Sequence, residues 1–350
     1  MSHTIERAPD ERVNWLGSAP FILMHLAPLG ALFTGVPWVA WVVMAVLYFG
    51  RMWFVTAGYH RYFAHRSYKM GRVMQFIMAV GATTAVQKGP IWWAAHHRHH
   101  HKYSDQENDV HSPKRGFWWS HMGWILCRKY DATRTELVPD LMKYPELRWL
   151  NKYWIIPQVA LIAAVFGFGL LFSGGAVVPA LGIVFIGFFL STILLSHTTY
   201  TINSLSHVLG RRRFATNDTS RNNWVLALIT GGEGWHNNHH HYQGSTRQGF
   251  KWWEIDTTYY VLWVLSKLRL VWGLHTPPKR VLTRHLIKQG APDIGTFDKY
   301  WAKAVKALQQ SGHATGDFAT EQKAKLSELY VATRAKLLEL ANATAQKPAA

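Results

Sequence analysis

Two long intervals without a formal charge divide the chain, one from Arg12 to Arg51 and the other from Lys152 to Arg211. Each is long enough for two connected apolar helices of roughly 15–22 residues. Gly35-Val36-Pro37 splits the first interval into spans near 20–35 and 37–57. Ser173-Gly174-Gly175 and Pro179 split the second into spans near 153–172 and 177–199. A buried pair of core helices is the alternative reading of the first interval. Residues 70–95 are apolar but broken by Arg72, Gln75, Gln87, Lys88 and Pro90, which suits the membrane interface better than its interior. The stretch 102–152 is polar, and 257–272 reads as a cytosolic or interfacial helix. From 298 to 342, Leu326, Tyr330, Thr333, Leu337 and Leu340 recur at helical spacing and form one amphipathic stripe.

The pattern predicts an all-α integral membrane protein with four transmembrane helices and a cytosolic helical cap. Residues 1–280 form the membrane domain, with the cap built from 59–152 and 203–280; residues 281–350 form a polar helical extension. Residues 1–18 lack the features of a signal peptide. The turn between the last two spans carries no charge, whereas the flanking segments are basic. The positive-inside rule therefore puts both termini and the cap in the cytosol, as in a bacterial inner membrane.

Composition sharpens this picture. The chain has a formal charge of +18, and no nucleic-acid reading motif accompanies it, so lipid headgroups or a phosphorylated substrate explain the excess better than nucleic acid. The single cysteine, Cys127, excludes an intramolecular disulfide and thiolate metal sites. Any metal must be held by nitrogen or oxygen.

Histidines supply the candidate chemistry. Five of the six residues from His96 to His101 are imidazoles. His97, His100 and His101 stand at i, i+3, i+4 and share a helix face; His236, His239 and His240 repeat that spacing. His60 and His65 lie five apart at the exit of the second span, so they share a centre only where the helix ends or bends between them. These eight imidazoles exceed what one tetrahedral ion takes, and two ions are expected. Imidazole suits iron, zinc, copper and nickel alike; a paired site facing a bilayer favours iron. Asn203 and His207 are i, i+4 neighbours after the fourth span, either an ordinary helix end or a further ligand with Asn203 bound directly or through water. His25 is read as a packed, hydrogen-bonded imidazole, and His96, His99 and His241 as flanking groups. His111, His121, Asp105, Glu107, Asp109 and Glu233 are candidates to orient the ligands.

These boxes resemble those of the membrane fatty acyl desaturases, specifically the stearoyl-CoA desaturase type, across about residues 20–280. The supporting stretches are Asn203-x3-His207, Arg115-Gly116-Phe117-Trp118-Trp119-Ser120-His121-x-Gly123-Trp124 and Gly232-Glu233-Gly234-Trp235. The resemblance implies a di-iron centre on His60, His65, His97, His100, His101, His207, His236, His239 and His240, with Asn203 acting through water; zinc is a substitute ion. It implies a bent, enclosed acyl tunnel whose kink is lined by Gln87, Trp93, Thr199 and Tyr200, the last replacing a tryptophan common in animal members. Arg98, Arg128 and Lys129 match residues that engage CoA phosphates. His96 stands where an acid is usual, and Lys88-Gly89-Pro90 replaces polar residues near the headgroup, which leaves acyl-CoA or phospholipid as the carrier.

The implied reaction is O₂-dependent insertion of a cis double bond, usually at Δ9. No flavin, dinucleotide or haem motif is visible, so electrons come from a ferredoxin, rubredoxin or cytochrome b5 type carrier with its reductase. The rival readings are a hydroxylase of the same superfamily and a His-rich membrane metal transporter, although the boxes sit at or beyond span ends rather than at bilayer depth.

Overall fold

Helices carry almost all of the regular structure in the computed structural model, which describes residues 7–287 and 327–336. Three are long and apolar enough to cross a membrane: α1 (Trp15–Thr34), α2 (Trp38–Ala64) and, later in the chain, Val177–His207. Between the second and third of these lie α3 (Arg72–Thr83) and α4 (Pro90–Tyr103), in the stretch expected to form a cap. A fourth apolar segment is a bent pair, α5 (Pro145–Lys152) followed by α6 (Ile156–Phe172) at 70°. The Val177–His207 helix is α7; α8 (His236–His241) and α9 (Thr257–Lys267) complete the cap.

Several ends differ from the sequence expectation. The first apolar helix starts at Trp15 because Asn14 caps it, accepting the Gly17 N–H at 3.2 Å. A 3₁₀ stretch, Ala27–Gly30, accommodates Pro28 within it. The polar residues Asn203 and His207 fall inside the run of α7 instead of after it. Residues 70–95 form α3 and the start of α4, and Val73 and Ile77 of α3 are exposed. Residues 257–272 split into α9 and a strand, Val271–Trp272, paired antiparallel with Lys69–Met70. In the amphipathic stripe, Tyr330 and Thr333 are half-buried on a helix over 327–336, while Leu326, Leu337 and Leu340 lie outside the described residues.

Close backbone approach and one buried cation hold the long helices together. A Cβ on Gly182 of α7 would collide with the Gly35 carbonyl in the turn between α1 and α2. Arg51 of α2 is 3 % exposed, a costly position at apolar depth unless every donor is met. Its guanidinium donates to Thr192 Oγ1 at 2.7 Å, Ser191 Oγ at 2.6 Å, Leu47 O at 3.0 Å and Thr84 O at 3.2 Å. These bonds tie α2 to α7 beside a π-helical stretch, Val184–Leu190, where the widened turn leaves carbonyls free to accept.

The Asn14 N–H reaches Leu126 O at 2.8 Å, and Gln158 of α6 donates to Thr83 O.

Candidate metal centre

The last eleven residues of α2, Phe54–Ala64, are π-helical. The i→i+5 hydrogen bonds of a π-helix bring residues five apart onto one face; the helix ends at Ala64, as expected between the two histidines, and the His65 N–H still bonds back to the His60 carbonyl, so both point to one centre. The regular α-helix of α4 stacks His97 over His101 and turns His100 aside. In α8, His239 and His240 diverge in the same way. Gly234 lets this segment pack, since a Cβ there would run into the backbone of Asn223, Leu226 and Ala227.

The nine expected histidines gather into two sets. His60, His65, His97, His101 and His239 form one, and His100, His207, His236 and His240 the other; within each, one ring nitrogen per residue lies within 4.8 Å of all the others. In the first set, the Nε2 pairs His60/His239, His97/His101 and His101/His239 are 3.0 Å apart and His65/His97 2.9 Å. In the second, His207 and His236 approach to 3.0 Å.

Proton bookkeeping shows that these nitrogens fit a metal. Carboxylates accept only, so each ring they touch carries its hydrogen on Nδ1 and turns a bare Nε2 inward. Glu233 takes His60 at 2.5 Å, Asp109 takes His100 at 2.9 Å, Asp105 takes His207 at 3.2 Å and Asp218 takes His240 at 2.6 Å. The Nε2 atoms of His100 and His240 are buried with no hydrogen-bond partner. Lone pairs facing one another across a dry space repel unless a cation lies between them. Two imidazole nitrogens each about 2.1 Å from one ion, at right angles, are about 3.0 Å apart, which is the separation seen.

Electrostatics agree. Burial, then the neighbouring imidazoles, holds His97, His101, His236 and His239 well below the ordinary histidine range, so they stay neutral and able to ligate. Burial pushes the carboxyls of Asp105, Asp109 and Asp218 up, yet their imidazole partners hold all three far below the usual carboxylate range. Behind Glu233 stands Arg61, fully buried, donating to Glu233 at 3.0 Å and to Asp256 at 2.9 Å.

Asp218 and Asp256 were not singled out from the sequence. Asp218 lies 22 residues before His240, and no spacing rule links an acid in a loop to a ring that distant. Glu107, a carboxylate expected to orient a ligand, is exposed. His111 stacks on His100 with ring centres 4.2 Å apart. His121 bonds Ser204 and His197 instead of a ligand. His25 is hydrogen-bonded, to Phe21 O at 2.7 Å and His197 at 3.0 Å.

A cavity of about 630 Å³ reaches the centre, lined by His97 and Asn203 at one end and by residues of α1, α6 and α7 along its length. That volume lies in the range of small-molecule sites, roughly 300–1,000 Å³. Three of the expected kink residues touch one another at its wall: Gln87 donates to Thr199 Oγ1 at 3.2 Å and accepts from Trp93 Nε1 at 3.2 Å. Tyr200 also lines the cavity, and the Trp93 ring stacks on His97 at 4.8 Å. The turn that presents Gln87 is strained, with Val86 at φ 63° and Lys88 at φ 61°, a conformation a β-branched residue rarely adopts outside functional sites. The Asn203 side chain lines the cavity and has no hydrogen-bond partner among the described residues.

The three basic residues matched to CoA are not brought together on the cavity. Arg98 binds Asp140 at 2.7 Å and the carbonyls of Phe63 and Ala64, beside a separate hollow lined by His65 and His101. Lys129 pairs with Glu11 at 2.7 Å, and Arg128 is exposed.

Two imidazole sets, the first reaching an apolar cavity through His97, define a class: helical proteins able to hold a pair of metal ions beside a bound apolar ligand. Residues 36–276 match the Fatty acid desaturase family, and the chain belongs to it. It is 36 % identical over 283 residues to the sn-1 stearoyl-lipid 9-desaturase of Anabaena variabilis, covering 79 % of this chain and 97 % of that one. It is 38 % identical over 264 residues to Delta-9 acyl-lipid desaturase 2 of Arabidopsis thaliana (74 % and 82 %). Over 243 residues it is 37 % identical to the acyl-CoA C20 Delta5-desaturase of Anemone leveillei (68 % and 74 %).

Proposed function

We propose that this protein is an O₂-dependent fatty acyl desaturase that introduces a cis double bond, at Δ9, into a saturated acyl chain. The observation that carries the reading is the meeting of nine imidazoles in two sets, the first reaching an apolar cavity through His97, with Trp93 shared between the cavity wall and that ligand ring. One set supplies five imidazoles, more than the four that close a structural zinc site, and this favours iron. Two iron ions would be held by the five- and four-histidine sets, with Asn203 beside one of them through water. When bound, they supply reduction of O₂ and the oxidising power to remove two hydrogens from the chain.

The protein's own residues do the positioning. Gln87, Thr199 and Trp93 form a cross-braced wall where the cavity passes the metal site, so they select the carbons that lie there; a misplacement of ~1 Å costs about a hundredfold in rate. Apolar lining from α1, α6 and α7 keeps bulk water from the reacting carbons. Asp105, Asp109, Asp218 and Glu233 retain the Nδ1 protons and keep the rings aimed. The balance of the reaction is one O₂, two electrons, two protons and two hydrogens of the chain giving an alkene and two waters.

Electrons come from a separate acidic carrier, a ferredoxin, rubredoxin or cytochrome b5 type, which a basic cytosolic face would steer. The four apolar segments are read as four spans of a bacterial inner membrane, with termini and cap cytosolic. The test is expression in a host lacking monounsaturated fatty acids, followed by mass-spectrometric mapping of double bonds. A cis-Δ9 alkene supports the proposal, and a hydroxylated chain without alkene overturns it.

A further inference from the structure

The cavity opens on its flank as well as toward the metal site. Gly17, Pro20, Phe21 and Met24 of α1 form one wall, and Val159 and Ile162 of α6 the facing one. Gly17 and Pro20 are exposed. Val159 is 57 % exposed although it lines the cavity, as is its neighbour Ile155 at 54 %. Trp15–Leu26 packs mainly on its own continuation Ala27–Gly30, then on the turn Gly123–Leu126 and the Val184–Leu190 stretch; α6 is not among these stronger partners. Exposed lining residues on both walls mark an opening between them. Outside it the surface stays apolar, with Leu16, Leu23 and Ile156 all exposed. This departs from the enclosed tunnel that the family resemblance implies.

The charges that line the cavity are matched to each other. Lys88 is the only Lys or Arg among the cavity-lining residues, and it pairs with Asp131, also lining, at 2.7 Å. Glu11, 7 % exposed, takes both Arg115 and Lys129. A CoA carrier presents several phosphates that must find cations on the protein, since a desolvated anion without a partner is costly. The headgroup of a bilayer lipid stays in the interface and needs none of them.

Resting on the desaturase reading, we infer that the substrate is an acyl chain esterified to a membrane glycerolipid, which slides into the cavity sideways from the bilayer between α1 and α6. The headgroup remains outside at the level of Trp15 and Ile155. The chain passes Val159 and Phe21 toward Thr199 and the metal site.

The holoenzyme is reconstituted with its electron donor in vesicles of distearoyl phosphatidylglycerol diluted in an ether lipid with branched chains, and separately in the ether lipid alone with stearoyl-CoA supplied outside. Alkene is expected first in intact phosphatidylglycerol, at an initial rate at least tenfold above that in the CoA pool. An alkene that forms first in stearoyl-CoA overturns the inference and leaves the desaturase reading standing. An alkene in neither pool overturns both.

Val159→Trp, which fills the gap, is expected to cut lipid turnover at least tenfold with bound iron unchanged; unaltered turnover overturns lateral entry. A phosphatidylglycerol carrying a photoreactive acyl chain provides a readout independent of turnover. It is expected to label peptides containing Pro20–Met24 and Ile155–Ile162, and labelling confined to other segments overturns the route.

Discussion

The His65 N–H donates to the His60 carbonyl at 3.2 Å, five residues back along the chain. That single bond closes a π-turn and decides where both imidazoles point. An α-helical turn there would rotate His65 away from the centre that His60 shares with His97 and His239.

Deleting one residue from the π-helical stretch, Gly58 for instance, is expected to restore α-helical winding and withdraw His65 from the five-histidine set. Bound iron should fall from about two ions per chain to about one, measured by elemental analysis of purified protein. Retention of both ions would show that the π-turn is not required.

His100→Ala and His239→Ala remove one ligand from each set. Both are expected to abolish desaturation and lower bound iron, whereas His25→Ala, which loses only contacts to Phe21 and His197, should leave both largely intact. Equal activity in the three variants would refute the ligand assignment.

Asp218→Asn replaces an acceptor with an amide that can present N–H to the His240 Nδ1. The ring then loses the partner that fixes its tautomer. Changes of this kind cost roughly 10–100-fold in metal affinity, so chelator competition should strip iron from this variant at correspondingly lower chelator concentration.

Acid should destabilise the metal-free protein from near neutrality downward. His97, His101, His236 and His239 have folded values well below the unfolded histidine value, about 6.5. Below that pH the unfolded chain binds protons that the folded chain refuses, so stability falls as pH falls, by at most about 1.4 kcal/mol per pH unit for each such ring. The depressed carboxylates Asp105, Asp109 and Asp218 add a second loss once pH drops below about 4. Thermal melting in detergent between pH 8 and pH 5 checks the first part; a flat profile contradicts it.

Arg51→Ala leaves Ser191, Thr192 and several carbonyls without their donor at apolar depth. A loss on the order of 3 kcal/mol is expected, seen as a lower melting temperature with the metal sets still able to bind iron. Arg51→Lys restores charge but not the forked geometry, and should recover only part of it.

The apolar intervals and the three boxes were legible because they depend on local periodicity: charge-free runs mark apolar helices, and i, i+3, i+4 spacing aligns imidazoles. The union of His60 with His65 was half legible. A helix end between them was expected and falls at Ala64, but the π-winding before it was not, since α- and π-winding leave nearly the same residue pattern. The 70° bend between Lys152 and Ile156 lies in a stretch where polar Asn151 and apolar Trp154 give no periodic signal. Asp218 and Asp256 were invisible because their roles depend on loop paths that bring distant positions together. Arg98 shows the converse: the resemblance suggested a phosphate contact, while its partners in the fold are Asp140 and backbone carbonyls.

Fixed countercharge is shared unequally between the two histidine groups. Three anions, Asp105, Asp109 and Asp218, stand directly behind the four-ring group, whereas among the described residues the five-ring group has Glu233, which shares the Arg61 guanidinium with Asp256. Equivalent cations placed in the two positions would thus experience different potentials. An ion held by His207, His236 and His240 would keep a more highly charged state more firmly than one held by the five-ring group.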